Sequence, residues 1–195
     1  MKNEYSTVFR KTSSLSENLE YGVKNNTVNL SCRLDKAVYN LLVSDAQKRG
    51  ISINSLVNNI AKKYISWERH ADDIGFVPLT KRAVQKIFTE LDDDKIKAIA
   101  TDVGSTVPRD LLMLNFNKIT FENILILLET WDERFGKVRH EVADSKHYFT
   151  VYHEINEKFS KYIACVHQAM ADDLSFKIDI TNVTFNAVSF SIREK

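Results

Sequence analysis

The sequence is poor in the residues that interrupt regular structure. Its 195 residues include only 5 Gly and 2 Pro, while 44% are hydrophobic and 10% are aromatic. This composition excludes collagen-like chains, disordered chains and the many-turned all-β class, and it favours a folded, helix-rich chain. A chain of this length holds one full domain, or a compact domain with a small addition.

The sequence also lacks the features of membrane, secreted and zinc proteins. No apolar run approaches the ~18 residues that a membrane span needs, and residues 1–22 lack the apolar stretch of a secretory signal. Cys32 and Cys165 lie far apart and outside any CxxC pair, which argues against a disulfide framework or a zinc module. We therefore expect a cytoplasmic protein with two reduced thiols and no membrane partner.

Charge is divided unevenly along the chain. The net charge is only +1, but residues 1–69 carry 11 Lys and Arg against 6 Asp and Glu, and residues 70–195 carry 16 against 20. Such a split indicates that a part that contacts a polyanion is joined to a part that does not.

Residues 27–69 show the most regular pattern. Polar and apolar residues alternate over residues 27–34 (TVNLSCRL), which predicts a strand buried on one side. Helical spacing follows over residues 36–49 and 53–69, with Gly50 as the stop between the two helices. Residues 1–26 are polar and aperiodic, so we expect a flexible arm there.

This β-α-α unit is too small to bury its own apolar faces. A lone strand leaves both edges unpaired, and about 43 residues lie near the lower limit of independent stability. The sequence therefore predicts a homodimer in which two strands pair as an antiparallel ribbon, with Leu30 and Ile60 in its core.

Residues 27–69 resemble a ribbon-helix-helix DNA-binding domain, the family of the Arc and MetJ repressors. The resemblance rests on the alternating strand, on Asp35 before the first helix, and on the Gly50–Ile51–Ser52 turn before the second. It implies that the outward strand residues read bases in the major groove of double-stranded DNA. By position these residues are Asn29, Ser31 and Arg33.

The chemistry of these three residues suits base reading, because Arg bonds guanine, Asn bonds adenine and Ser bonds either. The resemblance also implies that the start of the second helix holds a backbone phosphate, through the amides of Ile53 and Asn54 and the side chains of Ser52 and Asn54. We place Lys36 near the DNA backbone as well.

The rest of the chain predicts a second domain. Gly75 and Pro78 break the pattern over residues 72–78, which we interpret as a linker. Helical patterns follow at 80–91, 92–103, 108–116 and 120–134, and then two hairpins flank a helix over 154–174. The predicted fold class is α+β: a dimeric N-terminal ribbon-helix-helix, followed by a helix-rich α+β domain that ends in β-β-α-β-β. The predicted parts are an arm (1–26), a DNA-binding domain (27–70) and an α+β regulatory or oligomerisation domain (76–195).

Neither a metal site nor a catalytic site is predicted. The candidate metal ligands are His140, His147, His153, Cys165 and His167. They include no His-x-His pair, so we expect no metal and no cofactor, while a contact between His140 and His153 across the hairpin stays open. The sequence has no Gly-rich phosphate loop, GxSxG elbow or HExxH motif, so we do not expect an enzyme.

The leading hypothesis is a dimeric, sequence-specific transcriptional regulator, such as a repressor. Its second domain would sense a small molecule or a protein, or assemble dimers into a higher oligomer. The alternative is an antitoxin or plasmid-partition adaptor whose C-terminal domain binds a protein. A third hypothesis is an enzyme whose site carries no motif that we know.

Overall fold

The computed structural model describes residues 28–195, apart from the side chains of Ser66 and Asp72. The predicted arm over residues 1–26 lies outside the described residues. The helices are α1 (Lys36–Arg49), α2 (Ile53–Lys63), α3 (Arg69–Ile74), α4 (Lys81–Glu90), α5 (Asp93–Phe116), α6 (Phe121–Asp132) and α7 (Glu157–Leu174). The strands are β1 (Lys137–Ala143), β2 (Lys146–Tyr152), β3 (Lys177–Val183) and β4 (Ala187–Arg193).

The fold class predicted from the sequence is wrong, because the N-terminal strand is absent. Residues 28–35 form neither strand nor helix, although the alternation predicted a strand over residues 27–34. A strand needs a neighbour that accepts and donates backbone hydrogen bonds, and the described chain offers none at this point. The described fold is instead a helix-rich chain from Lys36 onward, followed by a four-stranded antiparallel sheet.

The sheet has the strand order β1-β2-β4-β3, and all its pairs are antiparallel. Asp144 and Ser145, with φ of 50° and 61°, form the turn between β1 and β2. Two successive residues with positive φ are typical of a type I′ turn, whose twist suits a hairpin. This two-residue turn fixes the register, in which Lys137 lies opposite Tyr152. Helix α7 connects β2 to β3.

The core lies between the helices and one face of the sheet. Helices α5, α6 and α7 and strands β2 and β4 supply most of its buried apolar residues. Among the largest side chains that are almost completely buried are Leu128, Phe149, Ile163, Met170 and Phe190.

Helix α5 is one helix of 24 residues, where the sequence predicted two helices that are separated near Gly104. Gly104 faces α7, and a Cβ atom at this position would lie 2.4 Å from the backbone oxygen of Val166 and 2.9 Å from the Cβ of Ala169. The residue therefore permits close helix packing and does not end the helix.

A π-helical turn over Tyr64–Glu68 joins α2 to α3, so the helical path continues to Ile74, past the expected boundary at residue 70. Within this turn Trp67 enters the core. Its ring lies 4.7 Å from that of Phe76 and 6.3 Å from that of Trp131, and the Arg134 guanidinium lies 4.8 Å from its ring centre. These contacts anchor the N-terminal helices to the rest of the molecule.

We expect Gly104→Ala to destabilise the protein by about 1–3 kcal/mol, because the added methyl group collides with α7 backbone that cannot move alone. Helix propensity acts in the opposite direction and would favour Ala by about 1 kcal/mol. The sign of the change in the free energy of unfolding, measured by urea denaturation, therefore decides between the two effects. Thr101→Ala, an exposed change in the same helix, is the matched control. A Gly104→Ala protein as stable as the wild type would contradict the close-packing interpretation.

Candidate functional site

Helices α1 and α2 form a small helical pair at the start of the described chain. Gly50, with φ of 66°, ends α1, and the Ile51 N–H donates to the Ala46 carbonyl, which closes the end of the helix. The Ser52 hydroxyl caps α2 by accepting from the Ser55 N–H at 3.0 Å. Ala46 and Leu56 are the buried residues of the pair.

The residues predicted to bind phosphate lie at the starts of these helices. Lys36 is the first residue of α1, Ser52 directly precedes α2, and Asn54 is the second residue of α2. All three side chains are exposed. The hydroxyl of Ser52 is already engaged in capping. The amides of Ile53 and Asn54, in the first turn of α2, have no acceptor within the described chain, so they are available to an anion.

The residues predicted to read bases are exposed, but so are the apolar residues between them. The structure therefore does not separate a polar face from an apolar face in this segment. Asn29, Ser31 and Arg33 lie in residues 28–35, where every side chain is exposed. Leu30, predicted to be in a dimer core, is 88% exposed, and Ile60 is 49% exposed. Neither is buried, because no second layer within residues 28–195 covers residues 28–34, α1 and α2.

The helical pair carries an exposed apolar surface, which we call the apolar face. Its members are large apolar side chains that are more than a third exposed and share one side of each helix: Val38 and Leu41 of α1, Val57 and Ile60 of α2, and Tyr64 directly after α2.

The contact between His140 and His153 that the sequence left open does not form. His140 lies opposite Phe149 and contacts His147, with 2.9 Å between His140 Nε2 and His147 Nδ1. His153 follows the end of β2 and is not the partner of His140 across the hairpin. The reason is the two-residue turn, which fixes a register that leaves His153 beyond the last pair, Lys137 with Tyr152.

A hydrogen-bonded chain leads from Glu129 of α6 to His147. The Glu129 carboxylate accepts from His140 Nδ1 at 2.6 Å, and the other nitrogen of His140 lies within hydrogen-bond distance of His147 Nδ1. His140 is buried and stacks on Phe149 at 4.0 Å. Burial, and then the neighbouring His140, lower the pKa of His147 to about 4. The three groups form a chain and not a shell, and residues 28–195 include no cluster of three His, Cys, Asp or Glu residues able to hold a metal ion.

His153 is a structural histidine. Its Nδ1 accepts from the Ile155 N–H at 3.1 Å, so Nε2 carries the proton and donates to the Ser160 hydroxyl at 2.7 Å. The side chain is fully buried between β2 and α7. Burial, and then the charge of Lys81, lower the pKa of His153 to about 4.

The pair formed by Asp132 and His167 was not predicted from the sequence. Both residues are completely buried, and 3.1 Å separates Asp132 Oδ1 from His167 Nε2. The contact is not aligned as a hydrogen bond, so neither side chain has a hydrogen-bond partner among the described residues. No spacing in the sequence links the end of α6 to the middle of α7, so no local signal could have revealed the pair.

Comparisons with known proteins give no family. No family model matches the chain, and no curated protein matches it. A solved structure of a doubly substituted H-NOX protein designated Tt aligns with 97% of this chain and 90% of its own, with 11% identity and a TM-score of 0.34. A similarity of this size does not identify the fold.

A helix that spans a membrane must be about 20 residues long and predominantly apolar. Within residues 28–195, no single helix is long and apolar enough to cross a membrane. Helices α5 and α6 meet the requirement only as a pair that is bent by 110°.

We expect acid to destabilise the protein through His153. The pKa of this residue is lower in the folded chain than the ordinary 6.5, so the unfolded chain binds more protons between pH 6.5 and about 4. Stability is therefore lost as the pH falls through this window. His153→Asn should reduce the dependence of the unfolding free energy on pH, measured by urea denaturation at several pH values. His147→Asn should act in the same direction. A slope that both variants leave unchanged would contradict the assignment.

Proposed function

We propose that the protein is a dimeric, DNA-binding transcriptional regulator. The observation that carries the proposal is the apolar face beside an exposed segment, residues 28–34, in which Asn29, Ser31 and Arg33 alternate with apolar residues. Two copies that bury this face against each other would present two copies of residues 28–34 side by side. The two-fold symmetry of such a dimer suits a pseudo-palindromic DNA site.

The local charge supports a polyanionic partner. Residues 28–63 carry six basic and two acidic side chains. One of the acids, Asp45, already forms an ion pair with Arg49 at 2.9 Å. This excess of positive charge attracts the phosphate backbone of DNA whatever its sequence.

The residues divide into two roles. Asn29, Ser31 and Arg33 are exposed and have side chains that can bond base edges in the major groove. The free amides at the start of α2 and the ammonium group of Lys36 would hold phosphates and set the orientation. Residues 76–195 would then sense a signal or assemble dimers, and we place the protein in the cytoplasm.

The dimer can be tested with Leu41→Asp in the full chain. Leu41 is 71% exposed in the single chain, so the change costs little unless a partner covers it. We expect the wild type to sediment as a dimer and the variant as a monomer, because burial of an unpaired charge is expensive. Asn40→Asp adds the same charge one residue away and should stay dimeric. A wild-type protein that sediments as a monomer at micromolar concentration would contradict the proposal.

Base reading can be tested with Arg33→Ala and Lys36→Ala. Replacing Arg33 should cost ~1–3 kcal/mol on a selected operator and weaken the preference for one base. Replacing Lys36 should weaken binding to all sequences alike and reduce the slope of log K against log salt by about one unit. The measurement is fluorescence anisotropy on the operator and on a scrambled duplex at several salt concentrations. If Arg33→Ala keeps the full ratio between the two duplexes, residues 28–34 do not read the bases.

A further inference from the structure

A groove lies at the end of the sheet where β2 and β3 begin and β4 ends. Its volume is about 370 Å³. Four basic side chains line it, together with two acidic ones, so its net charge is +2. The basic residues are Lys146, Lys177, Arg193 and Lys195, and the acidic residues are Asp172 and Asp179.

Three of these cations form a row across adjacent strands. Lys177 lies directly opposite Arg193 in the β3–β4 register. On the other side of β4, His147 pairs with Ile192, so Lys146 stands one position beyond, level with Arg193. Neighbouring strands are about 4.8 Å apart, so three positive charges start from backbone positions within ~10 Å. Like charges directly opposite each other destabilise a sheet.

Two carboxylates line the groove, but no ion pair within residues 28–195 involves this row of cations. Elsewhere basic residues that face α5 or α7 have carboxylate partners: Arg109 pairs with Asp173 at 3.0 Å and Lys161 with Asp93 at 2.8 Å. None of the basic groups in the groove has an ion pair within residues 28–195, although residues 70–195 carry more acidic than basic side chains.

The next row on the same face supplies hydroxyl groups and one carboxylate. Side chains alternate between the two faces of a strand, so Tyr148, Ser191 and Asp179 lie on the face of the cation row. Ser191 pairs with both of the others, and it is buried where it lines the groove. Gln168 of α7 also lines the groove and donates to Asp172 at 3.1 Å, which engages one of the two carboxylates.

We propose that this groove binds a small molecule carrying two or more phosphate groups. Arg and Lys at fixed positions, with a hydroxyl beside them, are the donors that phosphate oxygens require, and a row of three cations favours an extended polyanion over a single phosphate. The binding stands on the groove alone, and only its role as a regulatory signal rests on the proposed DNA-binding function.

The test is isothermal titration of the full chain with inorganic pyrophosphate at constant ionic strength. We expect saturable binding with one site per chain. Arg193→Gln and Lys177→Gln should each weaken it at least about tenfold, because each removes a charge-assisted hydrogen bond. Lys137→Gln is the matched control, since Lys137 lies at the opposite end of the same sheet, facing Tyr152. Circular dichroism checks that each variant is folded.

Parallel titrations separate the sources of the anion. Weaker binding of citrate and of inorganic phosphate than of pyrophosphate would support a ligand with several phosphates. Absence of saturable pyrophosphate binding, or equal binding by wild type, Arg193→Gln and Lys177→Gln, would overturn the proposal. A loss of affinity for duplex DNA in these variants, without pyrophosphate binding by the wild type, would assign the groove to the DNA backbone instead. Arg33→Ala should leave pyrophosphate binding unchanged, so a failure of base reading would not be mistaken for a failure of this site.

Discussion

The close approach of α5 and α7 at Gly104 is the constraint on which the rest of the structure depends. The two helices run in the same direction, since Asp93 of α5 contacts Lys161 of α7 and Arg109 contacts Asp173 further along both. Between these contacts a hydrogen atom, in place of a methyl group, faces the α7 backbone. Because α7 also covers the sheet, the distance between α5 and α7 determines how the helices rest on the sheet.

The apolar residues of the helical path from α2 to α3 have two different environments. The π-helical turn brings Trp67 into contact with Trp131 and Phe76, while the apolar face of α1 and α2 stays outside this core. Gly50 ends α1 and the Ser52 hydroxyl caps the start of α2, while Asp35 makes no side-chain capping bond at the start of α1. Most helical stability comes from packing an amphipathic face. An unpacked apolar face on these helices therefore points to a partner, and a second copy of the chain is the partner that we propose.

Local patterns in the sequence predicted elements better than they predicted contacts. Caps such as Thr80 and Asp92, each followed by apolar residues at helical spacing, mark the helices that the structure contains. Gly104 was expected to separate two helices, because glycine often ends a helix. Only its contact with α7 shows that it permits close helix packing instead. The strand over residues 27–34 failed for a similar reason, since alternation describes a face and does not provide the neighbour that a strand needs. The partners of His140 depend on the β1–β2 register, which the length of the 144–145 turn sets. The cation row depends on the pairing of β4 with β2 and with β3, which composition does not reveal.

The net charge of this chain does not show two uneven distributions of charge within it. The total of +1 averages a basic beginning with an acidic remainder, and that acidic remainder contains a row of cations on its sheet without ion pairs among the described residues. Salt screens charges beyond about 8 Å at physiological ionic strength, so cations on neighbouring strands, whose backbones are about 4.8 Å apart, still repel each other. Asp172 and Asp179 also line the groove, but they form no ion pair with these cations within residues 28–195 and leave the net charge of the groove at +2. An anion in the groove would relieve the repulsion directly, which is why the placement of the charges, and not their sum, bears on what the molecule binds.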